Sequence, residues 1–111
     1  MEVVIDLGAD TVVLRDPEIM QGFNLRVLGS AEEDGSGLVA AVLEAQGVGR
    51  LGADGNAFID LEAVRRLASD AFGSNTPEAW EDSLAGMVGY AASKGWVAED
   101  GAIQAHIEWG A

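Results

Sequence analysis

Apolar and polar residues alternate at both ends of the chain and gather into helical stripes in its middle. Val3-Val4-Ile5-Asp6-Leu7 is short and β-branched, Gly8-Ala9-Asp10 interrupts it, and Thr11-Val12-Val13-Leu14-Arg15 follows. That order predicts a hairpin with a short glycine-bearing connection. Asp16-Pro17-Glu18 predicts a turn, because proline fixes φ. Phe23-Asn24-Leu25-Arg26-Val27 reads as a half-buried strand, with Phe23, Leu25 and Val27 inward and Asn24 and Arg26 outward. The closing segment, Ala102 to Trp109, alternates in the same way. Ile103, Ala105, Ile107 and Trp109 point to one side, and Gln104, His106 and Glu108 to the other.

Between these strands the period changes. Ala31 to Gly37 reads as a polar loop, and as the most mobile internal segment. Leu38 to Gln46 fits a helix capped by Ser36 and ended by Gly47, with Leu38, Val39, Val42 and Leu43 in one stripe. It also fits a strand paired back on 23–29, but alanine, glutamate and glutamine favour the helix. Asp54-Gly55-Asn56 predicts a turn and Ala57-Phe58-Ile59 a short strand. Asp60 then caps a helix to about Phe72, whose inner face holds Leu61, Val64, Leu67, Ala68 and Ala71.

Thr76-Pro77-Glu78 predicts the start of a longer helix running to Lys94. Gly95 ends it, and Trp96 folds back onto Tyr90 and Ala91. Its buried stripe is Trp80, Leu84, Met87, Val88 and Ala91. Gly86 and Gly89 lie inside it and cost about 1 kcal/mol each relative to alanine; they either admit a closely packed element or are simply tolerated. Strands and helices are partly segregated. The expectation is therefore an α+β fold, a small, mostly antiparallel sheet with about three helices packed on one face, with residues 1–111 as a single domain.

The chain has no cysteine, which excludes disulfides, thiolate metal sites and a cysteine nucleophile. With no basic segment ahead of an apolar stretch at Met1-Glu2-Val3-Val4, and no apolar run longer than Leu38–Leu43, a cytoplasmic location is expected, without a membrane span. Nineteen carboxylates against six Lys and Arg give a formal net charge of -13. A surface of that sign repels phosphate backbones and anionic lipid, so nucleic-acid and membrane binding are not expected. The charge favours solubility first, and a basic partner surface second.

Several constellations carry possible chemistry. Gly47-Val48-Gly49-Arg50-Leu51-Gly52 matches the dinucleotide glycine pattern in letters, but no strand precedes it and no helix opens at Gly52, so the glycines read as turn residues. Asp54, Asn56 and Asp60 match part of the calcium-loop spacing, but Phe58 occupies a ligand position and Arg65 stands where the bidentate glutamate belongs, so no metal and no cofactor is expected. His106 is the sole histidine. With Glu108 on the same face it supplies the minimum for a general base, although no nucleophile accompanies it and a solvent-facing histidine is the plainer reading. Arg50, Arg65 and Arg66 fit ion pairs, with an anion pocket as the sharper alternative. Trp80, Trp96 and Trp109 are core or rim candidates, and Trp109, near the end of the last strand, is the expected interface anchor if one is exposed.

The stretches Gly86-Met87-Val88-Gly89-Tyr90-Ala91-Ala92-Ser93-Lys94-Gly95-Trp96 and Ala102-Ile103-Gln104-Ala105-His106-Ile107-Glu108-Trp109 resemble small actinobacterial proteins of unassigned function. The arginine, alanine and glycine bias fits such high-GC genomes. The resemblance covers the last third of the chain and implies no activity, cofactor or catalytic residue. The sequence thus favours a non-catalytic binding or accessory protein that pairs with a protein partner or a second copy of itself. The alternatives are a small cofactor-free isomerase, hydrolase or oxygenase using His106, and an acidic antagonist of a basic protein.

Overall fold

In the computed structural model, which describes residues 1–30, 32–53 and 55–110, the chain forms six strands and three helices. In order these are β1 (Glu2–Asp6), β2 (Thr11–Arg15), β3 (Asn24–Leu28), α1 (Glu32–Ala45), β4 (Gly49–Leu51), β5 (Ala57–Ile59), α2 (Leu61–Ala71), α3 (Trp80–Ser93) and β6 (Ile103–Trp109). The fold is α+β. The sheet, however, is not small and mostly antiparallel: it has six strands in the order β2-β1-β3-β6-β5-β4. β1 pairs with β3 and β3 with β6 in parallel, while the remaining neighbours are antiparallel. The sheet curls into a half-barrel. α2 leaves from β5, near one edge, yet packs against β2 at the other, and a flat sheet would not allow that.

Alternation sets the faces. Val3, Ile5, Leu14, Leu25, Val27, Ala57, Ile59, Ile103, Ala105 and Ile107 are buried on the concave side, together with Val39, Leu43, Val64, Leu67, Trp80 and Leu84 of the helices. The register keeps these inward residues in rows, such as Leu14–Val3–Leu25–Ile107. Complete burial of one such side chain contributes roughly 1.5–3 kcal/mol. No charged or polar side chain is buried in this core among the described residues.

Three local expectations change. Residues 32–37 are not a loop, because α1 begins at Glu32. Gly35 falls on the buried side of α1, where a Cβ would come within 2.5 Å of the Trp109 ring, so the glycine makes room for the indole. Leu38 is exposed, and the buried stripe is Gly35, Val39 and Leu43.

The Gly47–Gly52 stretch is not wholly a turn. Gly47, at φ 65°, ends α1, and Gly49 opens β4. A Cβ on Gly49 would sit 2.0 Å from the Phe58 carbonyl oxygen, so the β4–β5 pairing demands glycine there. α3 starts at Trp80 rather than Pro77. The segment first makes a separate turn, in which the Trp80 N–H donates to the Pro77 carbonyl at 3.0 Å. No helix is long and apolar enough to cross a membrane among the described residues.

Candidate functional site

The parallel pairing of β1 with β3 has a local consequence. β2 ends and β3 begins at the same end of the sheet, with β1 between them. Residues 16–23 must therefore cross the start of β1. Asp16 and Gly22, at φ 52° and 65°, bend the chain into and out of this crossing. Met1 is buried beside it, and the chain's first amine donates to the Gln21 carbonyl at 3.3 Å. Trp80, at the start of α3, fixes the crossing. Its indole N–H donates to the buried Pro17 carbonyl at 2.7 Å, and its ring meets Phe72 edge-on at 6.3 Å.

The crossing and α3 form the two walls of a groove of about 920 Å³. Met20, Gln21, Gly22 and Phe23 line one wall. Ser83, Gly86, Met87, Tyr90 and Ala91 line the other, and Ile103 and Gln104 at the start of β6 close the base. Trp96 stands at the mouth, held by two backbone bonds. Its N–H donates to the Ala91 carbonyl at 2.9 Å, and its own carbonyl accepts from the Gln104 N–H at 2.7 Å. Gly95, at φ 77°, makes the reversal possible. The Trp96 ring packs edge-on against Tyr90 at 6.1 Å, as the glycine stop predicts, but both rings stay largely open to solvent, Tyr90 at 60% and Trp96 at 43%.

The helix glycines gain a physical reading here. A Cβ on Gly86 or Gly89 would meet nothing within 4 Å, so neither serves close packing of another element. Gly86 instead lines the α3 wall of the groove without a side chain of its own. Among the described residues, no carboxylate, amine, guanidinium or imidazole lines the groove. Its polar side chains are Gln21, Ser83 and Gln104, besides the Tyr90 hydroxyl. The site is thus built for apolar contact with a few neutral hydrogen-bonding groups, the usual make-up of a ligand pocket.

The residues singled out by sequence lie elsewhere. His106 is on the open face of the sheet with its side chain 70% exposed, and its Nε2 lies 3.5 Å from Glu108 Oε1. The two are neighbours as alternation predicts, but they face water and border no part of the groove. Arg50 pairs with Asp100 at 2.9 Å and lies over the Phe58 ring. Arg65 pairs with Glu62 and Glu81. Arg66 donates to the Gln46 carbonyl at 3.0 Å, at the C-terminal end of α1. The three are each bound to a different partner and do not converge on a common space. Trp109 is half-buried and packs on the core beside Gly35, whereas Trp96 is the exposed indole. Of the calcium-like set, Asp54 lies outside the described residues, and no group of three His, Asp or Glu could hold a metal ion among the described ones.

On the same open face, Glu2 binds Arg15 and Arg26, the latter at 3.3 Å. Burial pushes its carboxyl upward, but the two guanidiniums more than offset this and hold its pKa below the usual carboxylate range. Arg26 also donates to the Gly110 carbonyl at 3.1 Å, tying the end of β6 to the same network.

Compared with protein-family models, curated proteins and solved structures, the chain has no match. The groove is not legible in the sequence, because Met20, Phe23, Tyr90 and Trp96 belong to separated segments. The available signal is weak: a glycine at 86 on the same helical face as Ser83 and Tyr90.

Proposed function

We propose that the protein is a non-catalytic binding module and that the groove between α3 and the 16–23 crossing is its binding site. The observation that carries this reading is the Tyr90–Trp96 pair, two large rings left open at the mouth of a groove with no charged side chain in its lining among the described residues. Aromatic and methionine surface is costly to leave in water, and rigid aromatics at a concave site supply binding energy at small entropic cost. The volume is at the upper end of the roughly 300–1,000 Å³ typical of small-molecule sites. What supports a binding role over catalysis is the separation of the His106–Glu108 pair from this groove.

The test is titration of the full chain with Nile red, a neutral apolar fluorophore, in the native protein and in Gly86→Leu. Because a Cβ at Gly86 meets nothing within 4 Å, the leucine enters the groove without disturbing the core. Dye affinity is expected to fall about tenfold or more, the effect of losing roughly 1.4 kcal/mol, while the unfolding midpoint holds or rises. Unchanged dye binding in Gly86→Leu, with folding intact, refutes the assignment of the site.

A further inference from the structure

We propose that the ligand of this groove is an amphiphilic monoanion, an alkyl or aryl body carrying a carboxylate, with the body in the groove and the head group against Lys94. The inference rests on the groove reading above and adds the head group to it. The body follows from the lining: Met20, Phe23, Met87, Trp96 and Ile103 offer apolar surface, and among the described residues no side chain there carries an opposite charge to pair with a buried one.

The head group follows from the fate of the cations. Six positive side chains face nineteen carboxylates in this chain. Arg15 and Arg26 hold Glu2, Arg50 holds Asp100, Arg65 holds Glu62 and Glu81, and Arg66 holds a helix-end carbonyl. Lys94 differs. Among the described residues it has neither a carboxylate nor a carbonyl acceptor, and its ammonium stands over the Tyr90 ring, 5.6 Å from the centroid. A cation–π contact directs one side of the ammonium at the ring and leaves N–H donors facing outward.

Placement joins the two observations. Ser83, Met87, Tyr90 and Lys94 follow one another along one face of α3 and its C-terminal end, so the face that walls the groove runs out onto the lysine. Lys94, Tyr90 and Trp96 thus grade from charged to apolar along the rim. The opposite wall belongs to the segment that carries Asp16 and Glu18, which orients an anionic head away from it and towards Lys94. An amphiphilic carboxylate matches this polarity, whereas a neutral ligand leaves the lysine unused.

The experiment is a fluorescence titration of the full chain with two matched sets below their micellar concentrations. The alkyl set is decanoate, 1-decanol and decylammonium, and the aryl set is 2-naphthoate and 2-naphthamide. In at least one set the carboxylate is expected to bind about fivefold tighter than its neutral partner, the scale of a single exposed ion pair of about 1 kcal/mol. The set showing the margin identifies the body as alkyl or aryl. Lys94→Gln is expected to abolish the margin without changing the neutral probe's affinity, and Lys94→Arg to retain it. A carboxylate that binds no tighter than its neutral or cationic partner overturns the proposal, as does a margin that survives in Lys94→Gln. Neutral binding that is lost in Gly86→Leu, with no carboxylate margin, removes the head group and leaves the groove reading intact. No binding of any probe removes both.

Discussion

A Trp80→Phe substitution separates packing from hydrogen bonding at the point where α3 grips the crossing segment. The indole is 4% exposed and its N–H donates to the buried Pro17 carbonyl at 2.7 Å. Phenylalanine keeps an aromatic ring in place but leaves that carbonyl without its donor. An unsatisfied buried acceptor costs about 1–3 kcal/mol, and the vacated part of the indole adds about 1 kcal/mol of lost burial and packing. The sum, about 2–4 kcal/mol, is a large share of the roughly 5–15 kcal/mol that stabilises a typical domain.

Urea unfolding followed by far-ultraviolet circular dichroism measures this directly. With a slope of about 1–3 kcal/mol/M, the midpoint falls by roughly 1–2 M. Trp109→Phe is the control, since the Trp109 ring also packs on the core but its N–H has no hydrogen-bond partner among the described residues. Trp80→Phe is expected to cost more than the control by the hydrogen-bond contribution. The same variant loosens one wall of the groove and weakens Nile red binding. Equal midpoint losses in the two variants would refute the claim that the Pro17 hydrogen bond anchors the crossing.

Gly49→Ala is expected to destabilise the protein by more than about 2 kcal/mol, because its Cβ falls 2.0 Å from backbone rather than from a flexible side chain; a urea midpoint within experimental error of the native value contradicts this. Glu2 has a lowered folded pKa, so its contribution to stability is present above the ordinary glutamate pKa of about 4.3 and is lost as the pH falls through the lower folded value. Glu2→Gln should therefore flatten that part of the acid limb in stability-versus-pH curves, and an unchanged acid limb counts against the Arg15–Glu2–Arg26 network. His106→Ala is expected to change stability by less than about 0.5 kcal/mol and to leave dye binding unaltered, since the imidazole faces water; a loss of dye affinity would place His106 in the site after all.

The sequence alone determined which residues face inward in the two strands that alternate cleanly. Leu25 and Val27, and Ile103, Ala105 and Ile107, follow a period of two, a local property of the backbone that needs no knowledge of neighbours, whereas Val3, Val4 and Ile5 of β1 are all buried and show no such period. The Gly95 stop and the Trp96–Tyr90 contact were legible for the same reason, as they lie close together in the chain. Strand order was not, because alternation says which side of a sheet a residue takes and nothing about which strand lies beside it. The parallel β1–β3–β6 centre depends on pairings between segments far apart in the chain. That centre forces residues 16–23 across the start of β1, and the crossing brings Met20 and Phe23 opposite Met87 and Tyr90. His106 carried the clearest chemical signal in the sequence and came to rest in water, while the groove arose from side chains whose proximity only tertiary pairing creates.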